Sequence, residues 1–363
     1  MSSGRVLPLD SLRGLAALGV TLFWHYPHFG PERPFDGAVA VWLYRYGLML
    51  VDFFFVLSGF VLSHVYLDKL RQGRVRPFEF FIFRFSRLYP LHFLTLIFVA
   101  LVQLSRTACG LDFFVYPAND AFHFLLNLGF IQFGIIKTDY SFNGPAWSLT
   151  IEEISYLAFF VALFFCSKRY LVVFALLLLL GIVIDLKALS THVLNLEVSR
   201  GLMGFFSGCF AYQLHTAAQK RNLGRALGVA GLLLCSGFVV YASMVGYSRL
   251  PLPLIAHSLI LFPAIVLATL NSAWLTRIFS FRPFVYVGEI SYSIYMIHFP
   301  VQIVLVTLDE VLHLGLPRGS PLFFYGYAGI TLALSSASYQ LFERRVQAAI
   351  RTALGVGRTG TSA

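Results

Sequence analysis

Apolar runs long enough to cross a bilayer recur along nearly the whole chain. Of the 363 residues, 58% are hydrophobic and 12% are charged, about half the charged fraction of a soluble domain. A helix needs roughly 20 apolar residues to cross a bilayer, and uninterrupted runs fit helices rather than barrel strands. The sequence therefore predicts an all-α, polytopic integral membrane protein. The net charge of +10 is attributed to basic cytoplasmic loops, and no nucleic-acid partner is expected.

Basic residues orient the predicted spans. If the shorter apolar stretch 121–136 does not span, 18 of the 27 Lys and Arg residues fall on one side of the membrane and six on the other. Because Lys and Arg collect on the cytoplasmic side, we expect both termini in the cytoplasm and residues 105–144 in an outer loop that dips back into the protein. The ten predicted spans are 7–26, 39–66, 88–104, 145–166, 170–186, 199–216, 227–246, 252–270, 285–308 and 321–342.

One membrane domain accounts for most of the chain. We expect a transmembrane domain at 1–346 and a disordered cytoplasmic tail at 347–363, which is rich in small and polar residues. The four cysteines are scattered without metal-ligand spacing, so no metal site is predicted. No internal repeat is visible, and such repeats are common in secondary transporters.

Titratable side chains inside the apolar runs are the first functional candidates, because burying them in a membrane is costly. Arg13 and His25 share the first span, where a helical rise separates them by about 18 Å. Glu152 and His298 reach the depth of His25 on two other helices. Two imidazoles and a carboxylate at one depth predict a buried acid/base site. The alternative role for the histidines is hydrogen bonding between helices. Asp52 also lies within a span, and it is either a site residue or a partner in helix packing.

Arg84 and Arg87, beside Tyr89, admit two interpretations. They are topology determinants, or they form an anion site on the inner face, because guanidinium groups match phosphates well. The sequence carries no nucleophile elbow, no zinc-binding His-Glu-x-x-His helix and no phosphate-binding loop.

Six segments, in order, resemble blocks of the membrane-bound acyltransferase family 3, the O-acyltransferases that modify bacterial glycans. LDSLRGLAAL, ending in FWHY, resembles the family's first helix, VDFFFVLSGFVLSHVY its second, and RFSRLYPLHFLTL the entry to its third. NGPAWSLTIEEISYLAFF is similar to its Trp-Ser-Leu-x-x-Glu helix and places the glutamate at Glu152 and a tyrosine at Tyr156. Residues 200–208 and GEISYSIYMIHFPV match later blocks. Each block is weak alone, but the ordered set covers nearly the whole chain.

The resemblance implies transfer of an acyl group, usually acetyl, from cytoplasmic acyl-CoA to a hydroxyl of a cell-surface or lipid-linked saccharide at the bacterial inner membrane. Acyl-CoA would be a donor substrate, and no permanently bound cofactor or metal is implied. A transporter or exporter that uses the same polar core is the alternative. By carry-over from the family, Arg13 and His25 are the required pair, and Arg84 and Arg87 face the CoA phosphates. With these residues we predict a catalytic set of His25, Arg13 and Glu152, a donor-binding set of Arg84, Arg87, Tyr89 and Ser58, and an acceptor-binding set of Asn143, Trp147, Tyr292 and His298.

The chain departs from the family pattern at two places. The family commonly has ten residues between the arginine and the histidine of the first helix, and this chain has eleven between Arg13 and His25. In a regular helix the extra residue would rotate His25 by about 100°, so either a π-bulge absorbs it or the two residues face different cavities. The closing Glu-x-Pro-x-Arg pattern reads Glu343-Arg344-Arg345, which predicts a last helix that continues without a proline stop.

Overall fold

Helices form the secondary structure in the computed structural model, which describes residues 5–250 and 253–356, and no β-strand occurs among these residues. The α-helices are α1 Leu7–Gly19, α2 Ala38–Tyr46, α3 Met49–Arg71, α4 Pro77–Ala108, α5 Ala121–Leu128, α6 Trp147–Phe165, α7 Tyr170–Leu186, α8 Leu196–Lys220, α9 Gly224–Val245, α10 Pro253–Ala256, α11 Phe262–Asn271, α12 Ala273–Phe279, α13 Arg282–Glu289, α14 Ser291–Leu312, α15 Pro321–Ala337 and α16 Arg344–Ala353. Three π-helical segments interrupt them, at Val20–Trp24, His257–Leu261 and Ser338–Glu343.

Within the described residues, six helices are long and apolar enough to cross a membrane, and α7 is apolar but shorter. The predicted all-α membrane fold is confirmed, and the predicted count of ten spans is not. Several predicted spans are divided: 39–66 breaks between α2 and α3, and 285–308 breaks between α13 and α14. The six helices are Met49–Arg71, Pro77–Ala108, Gly144–Phe165, Gly224–Val245, Pro253–Asn271 and Ser291–Leu312.

Large apolar side chains point outward along α7 and α9. Soluble proteins rarely expose continuous apolar faces of this kind, and lipid tails would cover them in a bilayer. This exposure supports a multi-pass membrane protein independently of helix length. The exposed side chains include Val172, Leu176, Leu179 and Val183 on α7, and Val229, Leu233, Val239, Val240 and Met244 on α9.

The chain divides into two units, and the first comprises residues 1–16, 48–74 and 151–289. Its centre is the contact of α3 with α8, where glycines let the two backbones approach each other. A Cβ atom on Gly59 would lie 1.8 Å from the carbonyl oxygen of Phe205, and one on Gly208 would lie 2.0 Å from that of Val56. Small residues at helix crossings are a common means of association in membranes.

Replacing Gly59 by alanine is therefore expected to destabilise the protein by at least ~1–3 kcal/mol, because the methyl group must push two helices apart. Thermal unfolding of the detergent-solubilised protein measures the effect. Gly237→Ala on α9 is the matched control, because a Cβ there has no neighbour within 4 Å. Equal melting temperatures for the two variants would contradict the close approach of α3 and α8.

The second unit comprises residues 17–47, 75–150 and 290–363. Its core is rich in aromatic side chains from the first helix, α14 and α15: Tyr26, Phe29, Phe299, Phe324 and Tyr327. The segment 105–144, predicted to be an outer loop, belongs to this unit, and its α-helical parts among the described residues are the end of α4 and the short α5. This is consistent with the prediction that 121–136 does not span. Asp120 caps α5 by accepting the His123 N–H at 2.9 Å, which lowers the pKa of that carboxyl.

The last helix continues without a stop, as predicted. α15 passes through the π segment Ser338–Glu343 directly into α16. α16 packs against α4, and the Arg351 Nε atom donates to Ser86 Oγ at 3.1 Å. α16 extends to Ala353, so residues 347–353 of the predicted tail are helical. Residues 357–363 of that predicted tail lie outside the described residues.

Candidate active site

His25 directly follows the π segment of the first helix. Its backbone N–H donates to Val20 O at 3.0 Å, five residues back, instead of to Thr21 O as in a regular α-helix. The Thr21 carbonyl accepts the hydroxyl of Tyr327 instead, at 3.1 Å. The first helix thus takes up the extra residue as a π-bulge, which is one of the two possibilities that the sequence left open.

His25 and His298 are directly hydrogen-bonded. The His25 Nδ1 atom lies 2.8 Å from His298 Nε2, and both side chains are buried. The His298 Nδ1 atom lies 2.7 Å from the carbonyl oxygen of Tyr295. A carbonyl can only accept, so His298 Nδ1 carries the hydrogen and, in a neutral ring, His298 Nε2 is the acceptor. It follows that His25 donates from Nδ1 and keeps its lone pair on Nε2.

The Nε2 atom of His25 is the ring nitrogen whose lone pair this arrangement leaves available. It has no hydrogen-bond partner among the described residues. A neutral imidazole nitrogen of this kind is a general base or a nucleophile. When Nε2 takes a proton, the positive charge spreads along the chain of hydrogen bonds through His298 to the Tyr295 carbonyl, which stabilises the charged ring. The predicted convergence of His25 and His298 is therefore observed.

Asn143 is placed beside this pair by a proline. Pro300 lies inside α14 and has no N–H, so the Met296 carbonyl four residues earlier loses its helical partner. The side-chain amide of Asn143 donates to that carbonyl at 3.0 Å and to Thr95 Oγ1 at 3.2 Å. The Asn143 Oδ1 atom is buried and has no hydrogen-bond partner within the described part of the chain. Asn143 is thus rigidly held and retains one acceptor.

The other predicted acceptor-binding residues lie in the same unit. Tyr292 donates from its hydroxyl to the carbonyl of Leu88, so it connects α14 to α4. Trp147 is buried at the start of α6, with its ring near those of Phe133 and Tyr140. Their roles in acceptor binding stay predictions.

Glu152 lies in the first unit, where two hydroxyl groups hold it. Ser58 on α3 and Tyr156, one turn further along α6, both donate to Glu152 Oε1. Ser58, expected at the donor, is thus seen as a partner of the carboxylate. Arg13 belongs to the same unit, and its NH1 atom lies 3.4 Å from Asp10 Oδ1. The catalytic roles of Arg13 and Glu152 stay predictions.

A second polar cluster in the first unit centres on Asp52, which is fully buried. Arg200 donates to both carboxylate oxygens, from Nε at 2.7 Å and from NH2 at 2.9 Å. His257, at the start of a π segment, lies 2.8 Å from Asp52 Oδ2 through Nε2. Its Nδ1 atom is 3.1 Å from the hydroxyl of Tyr247. Of the two interpretations of Asp52, this geometry fits the helix-packing one.

A sequence model described as an acyltransferase domain, that of acyltransferase family 3, matches residues 7–340. The chain belongs to this family. It is 27% identical over 320 residues to the peptidoglycan O-acetyltransferase OatA of Listeria monocytogenes, covering 81% of this chain and 49% of that protein. It is also 27% identical over 331 residues to the O-acetyltransferase OatA of Staphylococcus aureus, covering 83% of this chain and 51% of that protein.

A third relative, protein 2 in the picA locus of Rhizobium radiobacter, is 34% identical over 164 residues, which cover 41% of this chain and 78% of that protein. The chain spans about half the length of the two O-acetyltransferases that it matches. No solved structure matches the chain.

The basic segment of this acyltransferase-family chain lies at the start of α4. Arg84 is half-buried and Arg87 is exposed. Tyr89 donates to Leu128 O at 3.1 Å and stacks on Phe85, so it anchors α4 to the end of α5. Arg351 reaches the same segment through Ser86. Donor-binding roles for Arg84, Arg87 and Tyr89 are not decided by these contacts and stay predictions.

Sequence reasoning missed three polar residues of these sites: His257, Gln302 and His28. His257 and Gln302 lie inside apolar helices, where a buried polar side chain is itself a functional signal. Gln302 is also four residues after His298, which places both on one face of α14. His28 lies two residues beyond the first predicted span, 7–26, so the same signal does not apply to it.

Proposed function

We propose that the protein is a membrane O-acetyltransferase, which moves an acetyl group from acetyl-CoA on the cytoplasmic side of the bacterial inner membrane to a hydroxyl of a cell-surface or lipid-linked saccharide. The observation that carries the proposal is the fixed orientation of His25, whose Nε2 lone pair is left available by the bond from Nδ1 to His298. Membership of an acyltransferase family and similarity to two O-acetyltransferases, one named for peptidoglycan, support it.

The proposed reaction uses His25 as a general base. Its Nε2 atom takes the proton of the acceptor hydroxyl while the hydroxyl oxygen bonds to the thioester carbonyl carbon. The carbon–sulfur bond then breaks, and the CoA sulfur leaves with the proton that the imidazolium returns. If His25 takes the acetyl group first, the same lone pair bonds to the thioester carbonyl carbon, the carbon–sulfur bond breaks and the CoA thiolate leaves. In a second step the hydroxyl oxygen bonds to the acetyl carbon, the carbon–nitrogen bond to His25 breaks, and the hydroxyl proton passes to the thiolate.

Arg84 and Arg87 are the proposed contacts for the CoA phosphates, because bidentate guanidinium groups bind phosphate well. Their position at the start of α4 is on the predicted inner side of the membrane. Tyr89, Ser58 and Arg13 complete the proposed donor side, and Asn143, Trp147, Tyr292 and His298 line the proposed acceptor side. Glu152 is proposed to stabilise charge during the reaction.

Purified protein in proteoliposomes, supplied with acetyl-CoA labelled in the acetyl group and with bacterial glycan, tests the proposal. We expect release of free CoA that depends on the glycan, together with label bound to the glycan as an alkali-labile ester. Label that crosses the membrane without release of CoA would instead identify a transporter. Absence of both results would contradict the proposal.

His298→Ala is expected to lower kcat by about 100-fold, because His25 loses the acceptor that fixes its tautomer and shares its charge. The KM for acetyl-CoA should change little, since His298 is placed at the reacting atoms and not at the phosphates. His298→Gln should recover part of kcat, because its amide oxygen accepts from His25 Nδ1. Steady-state kinetics of both variants measure the effect. Equal losses in the alanine and glutamine variants would argue for a packing role only.

A further inference from the structure

His25 and His28 follow the π segment Val20–Trp24, and they form a ladder of contacts with two residues of α14. His25 pairs with His298, and His28, one turn later, pairs with Gln302. Gln302 is fully buried and joins both rungs. Its amide nitrogen donates to the His25 carbonyl at 2.9 Å, and its amide oxygen lies 3.1 Å from His28 Nδ1. One side chain thus positions both histidines.

The same hydrogen bonds fix the tautomer of His28. Because the Gln302 nitrogen is used toward a carbonyl, its oxygen is the acceptor that faces His28, and His28 Nδ1 carries the hydrogen. The lone pair of neutral His28 is therefore on Nε2. No hydrogen bond to His28 Nε2 occurs among the described residues. His28 is thus in the same tautomeric state as His25.

The two imidazole rings lie side by side. Their centroids are 5.0 Å apart and their planes 21° apart. Both Nδ1 atoms contact residues of α14, so neither Nε2 atom is used for that contact. The stacked rings therefore hold two acceptor nitrogens close together.

Aromatic rings enclose the second acceptor without blocking it. Phe114, Tyr116 and Phe299 contact His28 edge-on, with centroids 6.4, 6.0 and 5.8 Å from the imidazole. His28 nevertheless remains partly exposed. The His28 imidazole is thus partly exposed, is held by a buried glutamine and is surrounded by three aromatic rings. These features make it a preorganised polar site.

We propose that His28 is an acceptor-binding residue that selects which hydroxyl of the saccharide reacts. This inference rests on the proposed acetyl transfer. The reacting hydroxyl donates to His25 Nε2, and a second hydroxyl of the same molecule donates to His28 Nε2. The ligand class is a polyol with two hydroxyl groups close enough to donate to stacked rings. A mono-alcohol satisfies only one of the two acceptors.

Small alcohols test this role, because they replace the saccharide with a known number of hydroxyl groups. The purified protein is given acetyl-CoA with propane-1,2-diol, propane-1,3-diol or propan-1-ol, and each acetyl ester is quantified. The wild type is expected to favour the better diol over propan-1-ol in kcat/KM by roughly tenfold, about the contribution of one well-placed hydrogen bond. In His28→Phe this ratio should fall to about one, and His28→Gln should retain part of it, because its amide oxygen still accepts.

The ratio is measured within each protein, so partial misfolding does not change it. His92→Phe is the matched control: His92 is a buried histidine of the same unit, bonded to Asn127 O, and this variant should keep the wild-type ratio. The role would be overturned if the wild type acetylates none of the three alcohols or shows no preference for a diol. It would also be overturned if His28→Phe keeps the preference or is inactive toward all three alcohols. Acetyl-CoA turnover with bacterial glycan in the same wild-type preparation would show that acetyl transfer itself stands.

Discussion

Replacing His25 by asparagine is expected to abolish acetyl transfer almost completely, with a fall in kcat of about 10²–10⁴. The asparagine amide nitrogen stands at the position of the His25 Nδ1 atom and can still donate to His298 Nε2, so the local hydrogen bond is retained. What is lost is the basic lone pair on Nε2, and an amide nitrogen supplies no replacement. The variant therefore separates the chemistry from the structure of the site.

Acceptor-dependent release of CoA and labelling of the glycan measure this loss. His92→Gln is the control, because His92 is also buried and its Nε2 atom faces a carbonyl, that of Asn127, at 2.9 Å. A glutamine can make the same bond there, and the control should keep wild-type activity. Normal turnover by the His25→Asn protein would exclude both the general-base route and the acetyl-imidazole route.

The common depth of His25 and His298 could be predicted, because a fixed rise per residue places both at one level of the bilayer. That the two rings face each other is a finding of the structure. The all-α membrane fold could be predicted for a similar reason, since apolar run length requires no knowledge of tertiary contacts. Depth does not give direction around the helix, so the partners of Glu152 could not be predicted in this way.

The breaks in the helices could not be located from the sequence. The π-bulge before His25 is stabilised by the Tyr327 hydroxyl on the Thr21 carbonyl, a contact between residues about 300 positions apart. The resemblance indicated that an extra residue had to be absorbed, but not where. The contact of Asn143 could not be predicted for the same reason. Its partner is the Met296 carbonyl, which Pro300 leaves without a helical donor, and only the packing of α14 against the segment before α6 brings the two together.

Removing the Asp52 carboxylate is expected to produce the largest loss of stability. Asp52→Leu should destabilise the protein by ~3–5 kcal/mol, because the charge of Arg200 remains inside the protein without its carboxylate. His257 loses the same acceptor. Unfolding of the solubilised protein, followed by tryptophan fluorescence, measures the change.

The double variant Asp52→Leu/Arg200→Met tests whether the ion pair only stabilises the protein or also affects acetyl transfer. Replacing both charges by apolar groups of similar size often costs little, so this protein should recover most of the stability that the single variant loses. A double variant as unstable as Asp52→Leu would contradict the ion-pair explanation. If stability and acetyl transfer both recover, the cluster only holds α3, α8 and the π segment at His257 together. If stability recovers and acetyl transfer does not, Asp52 or Arg200 acts on the reaction as well, since a helix-packing role alone cannot separate the two measurements.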